Sequence, residues 1–151
     1  MEMKKLNSFW TVALSVLLLD ILSKQAVLNY LKLGESVDLG LLSIVHVRNT
    51  GIAFGLFQGA SWIFALIAGT VVLYLCFCYR SFSSSEWPVL GLVMAGAAGN
   101  LIDRIFFGSV VDFIDFGFWP AFNVADSAIT VAIIWLLVVE LRKMLRDVQN
   151  D

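Results

Sequence analysis

Asp112 and Asp126 stand in the segments G-S-V-V-D-F-I-D-F and F-N-V-A-D-S. Each lies where a long apolar stretch meets a short polar one. An ionisable group at that depth in a membrane-type sequence is expensive and marks a functional site by default. Two carboxylates that converge suggest acid/base chemistry, in which a charged one activates water and a neutral one protonates the group under attack. The two acids are fourteen positions apart, so an extended chain permits contact without forcing it. Gly108, Gly117 and Pro120 favour a chain that turns back. Asp126 can also be read as a helix-start acid, favoured there by the helix dipole. Asp115, three residues after Asp112, competes with it, and spacing alone leaves that contest open. If the pair meets, like charges push one pKa up and leave one proton shared. Neither a metal nor a cofactor is needed for that chemistry.

Other polar residues fall at helical spacing near the same boundary. Asp20 has Lys24 one turn along, which fits a structural ion pair or a support for the site. Asn100 and Asp103 can face one side of a helix, with Arg104 next to them. Together they read either as a capped, charged helix end or as groups able to grip a peptide backbone.

The elements that must position these groups are read from the apolar runs. The chain has 151 residues, of which 60% are hydrophobic and 15% charged, well away from a soluble domain. Four runs are long enough to cross a bilayer: about 9–31, 60–79, 88–107 and 122–141. Pro88 suits a helix first turn. Gly96 and Gly99, in M-A-G-A-A-G-N, let another backbone approach closely. The first run carries Asp20 and Lys24 and lacks a small-x-small cleavage site, so it is expected to remain as a helix. Six of the ten basic residues (Lys4, Lys5, Arg80, Arg142, Lys143, Arg146) fall on one side of the resulting topology. Both termini are therefore expected in the cytoplasm, with 32–59 and 108–121 facing outward. The alternation around I-V-H-V-R and the turn signal Asn49-Thr50-Gly51 indicate a small β element within 32–59. The expected fold is thus a single all-α membrane domain, four transmembrane helices with an extracytoplasmic β element between the first two.

Several function classes lose support. A net charge of −2 with no basic cluster gives nucleic acid nothing to hold. Cys76 and Cys78 point to different sides of a helix and read as buried free thiols. H-E-x-x-H, G-x-S-x-G and G-x-G-D are all absent. A small transporter or proton relay using the boundary carboxylates is an alternative, as is a helper that binds other helices through the Gly-rich run. Without internal repeats, four helices fit a repeat-built transporter poorly.

Five motifs occur in order: D-I-L-S-K (20–24), N-T-G-I-A-F-G (49–55), G-A-A-G-N-L-I-D-R (96–104), V-V-D-F (110–113) and F-N-V-A-D-S (122–127). Over nearly its full length the chain resembles lipoprotein signal peptidase (signal peptidase II), the bacterial intramembrane aspartyl peptidase family. The resemblance implies that Asp112 and Asp126 form the catalytic dyad, and it decides against Asp115. Asn49, Asn100, Asp103, Arg104 and Asn123 match positions that hold substrate or support the dyad. Asp20 and Lys24 match the first-helix motif. The implied partners are membrane lipids and a prolipoprotein carrying a diacylglyceryl cysteine, cut just before that cysteine. The implied location is the bacterial cytoplasmic (inner) membrane, as a monomer, with the site at the outer face.

Overall fold

The computed structural model describes residues 7–51 and 56–150. Lys4, Lys5 and the Ile52–Gly55 part of the second motif lie outside the described residues. Four helices carry the apolar runs: α1 (Ser8–Tyr30), α2 (Ser61–Cys78), α3 (Trp87–Phe107) and α4 (Val124–Asn150). All four are long and apolar enough to cross a membrane, as the composition indicated. Three strands accompany them: β1 (Ser36–Asp38), β2 (Ser43–Asn49) and β3 (Val110–Asp115).

Local chemistry explains the helix ends. The Asn7 side chain accepts a hydrogen bond from the Phe9 N–H and caps α1. Pro88 sits in the first turn of α3, where its missing N–H costs nothing. Gly108 ends α3 in the left-handed region at φ 70°, which a side chain resists. From Val124, α4 runs 27 residues. That is roughly 40 Å against an apolar bilayer core of about 30 Å, so the charged turns after Glu140 project beyond it.

The centre of the bundle is α3. It packs against α1, α2 and α4, whereas α2 packs chiefly on α3. More than half of the apolar window of α3 is buried and only 6% of that of α2. Small residues make this possible. A Cβ on Gly96 would lie 2.5 Å from the Ala125 backbone oxygen. One on Gly91 would lie 2.7 Å from the Phe9 backbone oxygen. Close backbone approach replaces the hydrophobic drive that lipid cannot supply between helices. At one end Phe9 stacks on Tyr79 with centroids 4.2 Å apart, and the Asn7 amide donates to the Tyr79 hydroxyl. Cys76 and Cys78 on α2 are half-buried, not buried as read from the sequence. The reason is the one-sided packing of α2, which leaves much of its surface to lipid.

The three strands lie at the opposite end of the bundle, in the order β1-β2-β3, all antiparallel. The strands from 32–59 form as expected. They are joined by a third, β3, from the connection between α3 and α4. Pairing runs Ser43 to Asp115, Ile44 to Ile114, Val47 to Asp112 and Asn49 to Val110. Between Ile44 and Val47 the β2 strand holds one residue more than its partner, a bulge. Val111 and Phe113 turn inward and pack with Val27 of α1. The alternation of β3 therefore sends Asp112 to the other face.

Gly96→Ala should lower stability in detergent by about 1–3 kcal/mol, because backbone cannot give way to the new methyl. Gly69→Ala, whose Cβ meets only Leu101 at 3.9 Å, should be near neutral. Thermal unfolding of the two variants beside the parent chain checks this.

Candidate active site

Asp112 is 2% exposed, yet it has donors on two sides. Asn49 Nδ2 donates to one oxygen at 2.9 Å and Asn123 Nδ2 to the other at 2.7 Å. The register makes the first contact: Asn49 ends β2 beside Val110, on the same face as Asp112. Asn49 also turns its Oδ1 to the Gly51 N–H, which fixes the amide.

Asp126 is held by a reciprocal cap. Asn123 Oδ1 accepts from the Asp126 N–H at 2.9 Å, and the Asn123 N–H donates back to Asp126 Oδ2 at 3.3 Å. This is a capping-box arrangement at the start of α4. The other oxygen, Oδ1, takes a 2.7 Å hydrogen bond from Asn100 Nδ2 on α3. So Asp126 is a helix-start acid, and it also faces a cleft.

Asn123 is the hub, fully buried. Its Nδ2 lies within hydrogen-bond distance of Asp112 Oδ1, Asn100 Oδ1 and the Val111 carbonyl. Beneath it lie Asp20, Lys24 and Asp103. The Lys24 ammonium is 2.7 Å from Asp20 Oδ2 and 3.1 Å from Asp103 Oδ2. The Asp20 contact is close in distance but poorly aligned as a hydrogen bond, so it is a charge pairing.

Around Asp112 and Asp126 opens a cleft of about 520 Å³. Asn49, Asn100 and Arg104 line it, as do Trp119 and Pro120 of the β3–α4 connection. Ser127 and Thr130 of α4 continue it along the helix. Arg104 donates to the Gly51 carbonyl at 3.2 Å and lies over the Phe64 ring of α2. Burial raises the Asp112 carboxyl to about 7, with the negative charge of Asp126 adding to it. The Asn49 and Asn123 hydrogen bonds and the Lys24 charge pull it partly back.

Of the residues singled out in the sequence, Asn49, Asn100, Arg104, Asp112 and Asp126 line this cleft. Asn123 reaches it through its amide, and Asp20, Lys24 and Asp103 are buried behind it. Asp115 is elsewhere: its side chain accepts from the Gly117 N–H and shapes a turn. Trp119, Pro120, Ser127 and Thr130 were not found from the sequence. For Thr130 the signal was its i+4 spacing from Asp126, one turn along the same face.

A family model described as signal peptidase (SPase) II matches residues 12–142. The chain is 45% identical over 146 residues to the lipoprotein signal peptidase of Syntrophomonas wolfei subsp. wolfei, covering 94% of this chain and 98% of that protein. Against the lipoprotein signal peptidase of Thermodesulfovibrio yellowstonii it is 40% identical over 134 residues, covering 85% and 90%. Two solved structures, each described as a bacterial membrane enzyme structure by the in meso method, are also similar. One, at 2.3 Å resolution, gives a TM-score of 0.84 at 30% identity, over 93% of this chain and 91% of that one. The other, at 1.9 Å, gives 0.80 at 30% identity, over 91% and 94%. Fold and similarity together make this a multi-pass membrane peptidase. The chain belongs to the signal peptidase II family.

Asn123→Asp should destabilise the protein more than Asn123→Ala. The aspartate adds an acceptor where Asp112, Asn100 and Val111 all need a donor, whereas removal alone costs about 1–3 kcal/mol for the groups left unpaired. Unfolding midpoints of the two variants give the order.

Proposed function

We propose that this protein removes the signal peptide from diacylglyceryl-modified prolipoproteins, cutting just before the lipidated cysteine, with Asp112 and Asp126 as an acid/base dyad. One observation carries the reading: the two carboxyls line a single cleft and both accept from one residue, Asp112 from the Asn123 side-chain amide and Asp126 from the Asn123 backbone N–H. The names of the relatives supply the substrate class.

In this mechanism the dyad holds one proton. The ionised carboxylate takes a proton from a water molecule, which attacks the scissile carbonyl carbon. The neutral carboxyl donates to the carbonyl oxygen as the tetrahedral intermediate forms. Collapse breaks the C–N bond, and the departing nitrogen takes a proton from the dyad. Asn49 and Asn123 orient Asp112, while Asn100 orients Asp126. Arg104, already on the Gly51 carbonyl, borders the cleft where a substrate backbone would lie.

The bundle suits a substrate confined to lipid. On either side of α3, α2 and α4 stand without extensive contact, leaving a lateral approach to the cleft. A signal helix and acyl chains would enter there by diffusion in the membrane plane. We place the site at the outer face of the cytoplasmic membrane, with both termini inside, from the distribution of Lys and Arg. The protein acts as a monomer in this reading.

Asp112→Asn and Asp126→Asn should each insert normally and lose cleavage of a lipidated precursor in detergent. Asp115→Asn should keep substantial activity. Cleavage retained by both of the first two variants would reject the dyad. A chelator should leave the rate unchanged. The dyad must keep one proton, and Asp112 ionises near 7, so kcat/KM should fall as pH rises through about 7. A pH–rate profile flat from neutral to alkaline would contradict this.

A further inference from the structure

Two backbone hydrogen bonds behind the cleft have a common origin. Asp20 Oδ1 accepts from the Ala125 N–H at 2.8 Å, and Ala125 precedes Asp126. Asp103 Oδ2 accepts from the Val111 N–H at 3.0 Å, and Val111 precedes Asp112. Each clamp thus holds the residue just before one of the two cleft aspartates. Both clamping carboxylates are paired with a single cation, Lys24. The same ammonium donates to Asn100 Oδ1 at 3.2 Å. Lys24 is donor-only, so that contact fixes which end of the Asn100 amide faces it, and Nδ2 is left to face Asp126.

We infer that Lys24 is the positioning residue of the site: one buried charge that registers α1, α3, β3 and α4 so that Asp112 and Asp126 meet in one orientation. This rests on the dyad reading above and names how that site is set. Lys24 is 3% exposed and is not itself a lining residue of the cleft, so it acts from behind, through Asp20, Asp103 and Asn100 and through its charge on Asp112. No other cation among the described residues forms an ion pair with either of those carboxylates.

An ordinary structural ion pair would affect folding alone. A positioning charge also affects turnover and its pH dependence. The charged groups that act on Asp112 are Asp126 from α4, Arg104 from α3 and Lys24 from α1, with Asp103 and Asp20 behind it as the partners of Lys24. From β2, Asn49 faces it as a neutral donor. Loss of the Lys24 charge removes a lowering influence on Asp112. The alkaline limb of kcat/KM should therefore move to higher pH.

The test uses the full chain in detergent with a synthetic diacylated precursor, comparing Lys24→Met, Lys24→Arg and Asp112→Asn. Lys24→Met should lower kcat by about 10²-fold, the scale of a small misplacement of reacting groups. Its KM should stay within about threefold, since substrate contacts are untouched. Its alkaline limb should rise by roughly half a pH unit or more. Lys24→Arg, which keeps the charge, should leave that limb where the parent has it. Parental kcat in Lys24→Met, or a lowered kcat with an unmoved limb, overturns the inference. If Lys24→Met does not accumulate in the membrane, Lys24→Met/Asp103→Asn removes the cation together with one of its two carboxylate partners. A lowered kcat at unchanged KM in that double variant supports the inference, and a parental kcat overturns it. An active Asp112→Asn, together with an active Asp126→Asn, would instead bring down the dyad itself.

Discussion

Carboxylates buried at the rim of a membrane bundle need donors, and this requirement organises the structure. An ionised group moved out of water without partners costs several kcal/mol, so it is either paired or neutralised. The chain places Asp20, Asp103, Asp112 and Asp126 within one layer. It supplies the Lys24 ammonium, the amides of Asn49, Asn100 and Asn123, and the N–H groups of Val111, Ala125 and Asn123. The donors come from α1, β2, α3, β3 and the start of α4. Removing any one segment would leave an acid unsatisfied, so the polar layer ties together helices that lipid alone would not hold in register.

Much of this was legible in the residues, for reasons that differ by element. Apolar runs of membrane length locate helices because backbone polar groups in lipid must pair within their own segment. The helix ends were legible where Pro88 and Gly108 mark them. The further length of α4 was not, since after Glu140 apolar and charged residues alternate with no stop signal. The third strand also escaped. V-V-D-F-I-D-F repeats every three residues and does not alternate, and its partner lies more than sixty residues earlier, which local pattern cannot record. That same pairing separates Asp112 from Asp115, which spacing had left open. One joins Asn49 across the strands, while the other closes a turn with Gly117.

The polar hub shows the other side of that limit. Asn123 precedes a helix by one residue, and its type fits an N-cap without any further role. Its second task, donating to Asp112 and Asn100, depends on where β3 and α3 arrive. Glycine in α3 behaves likewise. Small residues announce a close approach, but only the packed helices show that Gly99 leaves room for the Asp20 carboxylate. Packing and charge placement thus meet at single residues, and the proposed chemistry depends on both.

The central claim is that two cleft carboxyls, Asp112 buried and Asp126 half-buried, hold one proton near neutral pH. Infrared difference spectra of the detergent-solubilised protein, titrated from acid to alkaline pH, measure it directly. The expected result is a protonated-carboxyl band that disappears with a midpoint near 7, is missing in Asp112→Asn and persists in Asp115→Asn. A parent protein with no such band through the neutral range, or one whose band survives in Asp112→Asn, would contradict the shared proton.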